Sequence, residues 1–350
     1  MLAAATRSSR IFSRLTGLPR KHVNYLGIDI GVDRCKIATF SHAHVGEDPV
    51  SSQTPIAWTA NWEFGIPVDP SVAPPSNWID LLVNQLSERL PRCVDGDRNL
   101  CNISLPLPWV HYQISSRSDL DLARRQCNEM FENSLLKSAA FLRHWQAGSE
   151  SDSLVVAATA EQAATRIAQV VADTGYEVKS LLPHGVALIH SANALTQLQP
   201  SAIVLLESTG SMVSVVERTA CGLTRLLPPC PVPTDRLPSI VELEPWLHEI
   251  ANETEASFRY ASRLRGQLNA EAPVLICGSL AEIHGVDRAL ANCMTRPIAT
   301  WRYVGRQRPQ TCSDALVIDQ NSDAASAVAL SLAYAAIDSG DAAMDGKEKA

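Results

Sequence analysis

The 350-residue chain contains no run of about twenty apolar residues, the length a membrane-crossing helix needs, so no spanning segment is expected. It also lacks a basic excess. Its 30 Lys and Arg stand against 37 Asp and Glu, and a formal charge of −7 argues against a nucleic-acid surface. Metal-site spacing is missing too: the nine cysteines include no Cys-x-x-Cys pair, and neither they nor the nine histidines fall at zinc-ligand intervals. Cys35, Cys101 and Cys277 lie inside apolar strand patterns, where a reduced thiol packs as a small hydrophobe, a usage that suits a reducing cytosol. What is present is apolar bulk. At 46% hydrophobic residues the chain can fill the cores of two α/β domains of ordinary size.

Three segments share one design, an apolar strand that ends in a turn containing glycine. In the first, Leu26 to Phe40, the turn carries Asp29 and Gly31, with Lys36 seven positions after the aspartate. Gly31 lets backbone approach an anion, Asp29 is of a type to hold a hydrated divalent cation, and Lys36 adds positive charge. The same pattern also fits an ordinary hairpin. The second segment, Ala202 to Val216, turns at Ser208-Thr209-Gly210-Ser211, and the third runs Val274 to Ser279 through Cys277-Gly278-Ser279 towards a helix entered at Gly285. Three such turns are expected to converge on one cleft of an α/β fold.

Proline clusters mark the joints, at Gly65 to Pro75 and Pro228 to Pro238, and Trp58, Trp62 and Trp78 accompany the first as packing anchors. Helical spacing predicts a helix over Asn77 to Leu90 and a long one over Ile240 to Arg265. The long helix places Leu243, Leu247, Ile250, Thr254, Phe258 and Ala261 on one stripe, with Glu253 on its flank. Residues 1–22 hold five basic residues and no acidic one; a disordered tail, a basic amphipathic helix lying on an anionic bilayer and a transit peptide all fit that composition. Residues 338–350 read as a disordered tail.

The order of these features resembles the actin-like ATPase superfamily, with the three turns standing as first phosphate loop, second phosphate loop and adenosine loop. Within it the chain is similar to the PilM family of type IV pilus assembly, relatives of the cell-division protein FtsA. The resemblance spans about residues 23 to 335. It rests on Leu26-Gly-Ile-Asp-Ile-Gly31, Asn102-Ile-Ser-Leu-Pro106, the strand Val110 to Ser115, the helix Leu120 to Lys137, Val155 to Ala158 with the helix Glu161 to Thr174, Gly175-Tyr-Glu-Val178, and the closing helix 323–333. It implies an actin-like, ribonuclease H-like two-domain fold: residues 23–198 as first domain with an inserted subdomain at about 102–153, and residues 199–337 as second. The nucleotide site it implies is Asp29, Gly31, Lys36, Gly210, Ser211, Glu253, Gly278 and Ser279, with Asp29 on magnesium. For Glu253 a merely solvated glutamate is the other reading.

The motifs depart from the family where the chemistry is. Phosphoryl transfer needs charge neutralisation, and the family's second-loop aspartate is replaced here by Ser208, with Glu207 one position out of register and expected to point away from the cleft. In the first loop Asp33 would repel a phosphate by about 2 to 3 kcal/mol per unit charge at about 6 Å and an effective dielectric of about 20, offset in part by Arg34 or magnesium. Cys277 stands where the family has bare glycine backbone. ATP and magnesium are therefore expected to bind weakly or not at all, and no residue is assigned a catalytic role. The resemblance implies a cytoplasmic scaffold at the inner face of the inner membrane. Its partners would be the extended peptide of a PilN-like membrane protein, held in a groove near Asn102 to Ser115 and Leu154 to Thr159, and other platform proteins. An active ATPase of the same complex, a type II secretion platform component and a small-molecule kinase are the alternatives.

Overall fold

The computed structural model describes residues 23–42, 56–65, 75–90, 98–133, 137–146, 152–217, 220–232, 238–265, 268–269, 271–304 and 323–345. The basic segment 1–22, most of the first proline loop and the side chains of Trp58, Trp62 and Trp78 lie outside them.

The first domain is built on a five-stranded sheet. Strands β1 (Val23–Ile30), β2 (Arg34–His42) and β3 (Ile56–Gly65) form an antiparallel meander, and β4 (Arg98–Ser104) and β8 (Glu177–Leu181) join it in parallel, in the order β3-β2-β1-β4-β8. The second sheet repeats this plan. Strands β9 (Ala202–Glu207), β10 (Gly210–Glu217) and β11 (Ala220–Leu227) form the meander, and β12 (Val274–Cys277) and β13 (Ile298–Thr300) run parallel beside it, in the order β11-β10-β9-β12-β13. Two copies of one mixed α/β unit make the actin-like architecture.

A third sheet is inserted in the first domain. Strands β5 (His111–Ser116), β6 (Ala140–Gln146) and β7 (Ser153–Ala160) pair antiparallel in the order β5-β7-β6, and helix α2 (Leu120–Glu132) buries Ala123, Cys127 and Phe131 beneath them. Residues 102–104, counted with the insertion by sequence, pair within the first sheet through β4.

Helices cover the sheets with the stripes their spacing predicts. On α1 (Pro75–Arg89) Leu82 and Leu86 are fully buried, facing Ala164, Ile167 and Val171 of α3 (Glu161–Asp173) in one core. Helix α4 (His184–Thr196) leads into the second domain. Helix α5 (Ile240–Arg265) buries its whole expected stripe from Leu243 to Ala261 and carries Pro245 in its second turn, where the ring leaves the Val241 carbonyl without its helical donor. Helix α6 (Val286–Cys293) begins at Gly285, as expected.

The last helix, α7 (Ala327–Asp345), runs beyond residue 337, where sequence reading closed the second domain, and into the segment read as a disordered tail. It also crosses back to the first sheet. A Cβ on Gly27 of β1 would fall 1.8 Å from the carbonyl oxygen of Ala329, so glycine there lets strand and helix backbones meet. Beside that contact the Asn102 side chain donates to the Leu332 carbonyl (3.2 Å). Through α7, Tyr25, Phe40 and Leu100 share one core with the strands of the second sheet.

Candidate functional site

Both meander turns converge, as the sequence pattern predicts, on a cleft of about 390 Å³ between the domains, and the β12 turn touches it only through Glu207. Asp29, Gly31, Asp33 and Lys36 line it from the first domain, and Glu207, Thr209 and Gly210 from the second. The turn at Gly31 is closed by its own N–H, which donates to the Arg34 carbonyl (2.8 Å). Across the cleft, Leu107 and Pro108 lie against Gly210 at the van der Waals distance a Cβ would have.

The charges in the cleft are already paired. Asp29, 7% exposed, accepts through Oδ1 from the Ser104 hydroxyl (2.7 Å) and faces His184 Nε2 at 3.2 Å. Burial alone would raise the Asp29 carboxyl, but hydrogen bonding and charge from His184, the charge of Lys36 and the Ser104 hydroxyl outweigh it and hold it below its ordinary value. Lys36, 3% exposed, donates to Glu207 Oε1 (2.9 Å) and to the Ala325 carbonyl (2.8 Å). Burial disfavours its charge, and Glu207 and Asp29 more than restore it, so the ammonium titrates above its ordinary value. Arg34 bridges Asp33 (3.2 Å) and Glu63 (3.1 Å).

Glu207 corrects the sequence expectation. Instead of pointing away, its Oε1 takes Lys36 and the Ser279 N–H (3.1 Å), and its Oε2 takes the Ser279 hydroxyl. Alternation assigns faces within a ladder, but Glu207 is the last residue of β9. Its long side chain is free to turn towards the buried ammonium and the donors of the next strand's turn. The Ser279 donors are held there by Gly278, whose φ of +98° and N–H bond to the Ala324 carbonyl (2.7 Å) set the turn. Cys277 is fully buried and its thiol is pushed well above the ordinary range, chiefly by burial.

Of the site residues read from the sequence, Asp29, Gly31, Lys36 and Gly210 share the cleft, and Gly278 and Ser279 reach it through Glu207. Ser211 is 1% exposed inside β10. Glu253 is on α5, ion-paired with Arg225 of β11 (2.7 Å) and absent from the cleft's lining residues. His184 and Ser104 are not among the residues the sequence pointed to; the serine lies in the Asn102 to Pro106 strand and the histidine opens α4.

The Asp29 pairing predicts an acid response. Because the folded value is depressed, its contribution to stability is fully present above the unfolded value near 3.8 and disappears as pH falls through the folded one. Urea midpoints measured from pH 7 down to pH 2 should fall more steeply for the wild-type chain than for Asp29→Asn, and parallel curves would remove the assignment.

A second concave site lies where the first sheet meets the inserted one. It is an apolar groove of about 330 Å³, with Ile103 and Leu105 on one wall, Leu181 on another, and Val110, Phe141 and Ala157 along the inserted sheet. Ile103, Leu105, Val110 and Ala157 fall in the segments the sequence assigned to a groove, whereas Phe141 and Leu181 come from strands outside them. Thr159, on its lining, is 6% exposed and its hydroxyl has no hydrogen-bond partner among the described residues.

No family model matches the chain, and no curated protein does either. Solved structures do. The chain is similar to the structure titled "PilM-PilN type IV pilus biogenesis complex", with a TM-score of 0.59 at 15% identity over 89% of this chain and 98% of that one. It is similar also to the ethanolamine utilization protein EutJ from Carboxydothermus hydrogenoformans, with a TM-score of 0.50 at 12% identity over 90% of each chain. The chain has the actin-like fold over nearly its whole described length. Among the described residues no helix is long and apolar enough to cross a membrane.

Proposed function

We propose that the protein is a non-catalytic actin-like scaffold of an inner-membrane assembly platform, of type IV pilus or type II secretion kind, acting on the cytoplasmic side. In this reading the apolar groove holds an extended cytoplasmic peptide of a PilN-like membrane protein. The observation that carries it is the groove itself, open and apolar, beside a sheet whose outer strand β6 pairs on one side only. The likeness to a PilM structure solved as a PilM-PilN complex supports it.

The nucleotide cleft supports the non-catalytic half. Mg-ATP would need a free cation and free N–H donors at its phosphates, whereas Lys36 and Ser279 are already bound to a protein carboxylate. Glu207 adds to the negative charge of Asp29 and Asp33 in the cleft and occupies the donors a phosphate would take, so the residues present do not fit the nucleotide. Calorimetry with ATP and magnesium at millimolar concentration is expected to give no heat of binding. Micromolar affinity, abolished by Asp29→Ala, would instead make the chain a nucleotide-binding protein.

For the groove, the direct test uses a synthetic peptide copying the cytoplasmic end of the membrane protein encoded beside this chain. The full-length protein should bind it, and Ala157→Leu, which fills the groove, should weaken binding roughly tenfold or more. Circular dichroism and the melting temperature would verify that the variant folds. Equal binding by both proteins, or none by the wild type, would remove the proposal.

A further inference from the structure

Resting on the proposed peptide groove, one feature specifies its ligand further. Arg143 is the one charged residue among the described residues that line the groove. It is exposed, and no carboxylate among the described residues pairs with it; its guanidinium lies over the Phe141 ring, 5.3 Å from the centroid. An arginine lying over an aromatic ring keeps its donors available to an anion at the mouth of the groove.

The strand geometry turns this into a spacing. Phe141 and Arg143 are two residues apart on β6, on the face that carries Ala157 and Thr159 of β7, because Arg143 pairs with Ala157 and Phe141 with Thr159. An extended peptide running beside β6 has the same two-residue repeat, roughly 6.6 Å. A side chain of such a peptide that packs on Phe141 leaves the next side chain on that face opposite Arg143. The unpartnered Thr159 hydroxyl, buried beside Phe141, supplies a hydrogen bond that peptide backbone can complete.

We infer that the groove selects an extended segment in which an acidic residue stands two positions from an apolar one, with the carboxylate on Arg143 and the apolar side chain on Phe141. A basic or neutral residue at that position is disfavoured, the former by charge repulsion and the latter by leaving the guanidinium without its counter-ion. Selection of this kind separates one membrane partner from others that share only apolar character.

The test uses fluorescein-labelled eight-residue peptides on the full-length protein, read by fluorescence anisotropy. One peptide has leucines at alternate positions with a glutamate replacing one of them; its counterparts carry glutamine or lysine there, or move the glutamate by one residue. The first glutamate peptide should bind roughly fivefold tighter than the glutamine one and more tightly still than the lysine one, with the difference shrinking in high salt. Displacing the glutamate by one should abolish the advantage. Arg143→Glu should invert the order of the glutamate and lysine peptides, which a general loss of folding cannot do. Equal binding of all four peptides, or an order unchanged by Arg143→Glu, overturns the selectivity and leaves the groove reading standing. Absence of binding by any peptide, or binding indifferent to Ala157→Leu, overturns both.

Discussion

Glu207→Ala is expected to cost about 3 to 5 kcal/mol of stability, measured as a lowered urea midpoint. The cause is a buried charge left without its direct partner, with the Asp29 carboxylate near it but not bonded to it. Lys36 is 3% exposed, and without Glu207 its ammonium retains one neutral partner, the Ala325 carbonyl, while the Ser279 N–H and hydroxyl lose their acceptor. Replacing both partners, Lys36→Met with Glu207→Leu, should be much less costly, since removing a buried pair spares the structure the isolated ion. The single variant also creates an anion site, with an ammonium and an N–H donor directed at a space the size of a carboxylate. Inorganic phosphate should therefore restabilise Glu207→Ala by mass action, by about 2.7 kcal/mol at a hundredfold excess over its dissociation constant, and leave the wild type almost unchanged. A Glu207→Ala midpoint equal to the wild-type value would show that the bridge does not hold the domains together.

Gly278→Ala should lower stability by about 3 kcal/mol or more. Alanine at a φ of +98° is strained by about 1 to 3 kcal/mol, and its Cβ would meet the Leu206 carbonyl oxygen at 2.3 Å, so the turn must move. That movement carries Ser279 away from Glu207. Gly278→Ala and Glu207→Ala should accordingly be less than additive in a double-mutant cycle. Gly210→Ala is the control: its Cβ would find only Leu107 and Pro108 at 3.6 Å and beyond, ordinary contact, and a cost within about 1 kcal/mol is expected. If Gly278→Ala is as mild as Gly210→Ala, the turn is not the rigid donor described above.

The cleft's reach was legible because its three turns follow strands whose apolar patterns are continuous, and a glycine ending such a strand is a local feature. The long helix from Ile240 was legible for the same reason, with six buried positions set by one period. Glu207 was misread because the two-residue period of a strand says nothing about a long side chain at its last position. There the outcome depends on what lies opposite, a lysine 171 residues away in sequence. His184 gave no local sign at all. It pairs with Asp29 only because α4 starts where β1 ends, and that adjacency belongs to the folded chain.

The sequence by itself determined the elements: two apolar meanders, their glycine turns, the amphipathic helices and the absence of a membrane-length apolar run, all set by periodicities of two and 3.6 residues acting over short distances. Tertiary structure alone decided which charges meet. Whether Lys36 faces a phosphate or a carboxylate, whether α7 closes on Gly27, and whether Arg143 flanks an apolar groove depend on contacts between segments tens to hundreds of residues apart. In those contacts the desolvation of a buried charge has to be matched by a partner that no local pattern names.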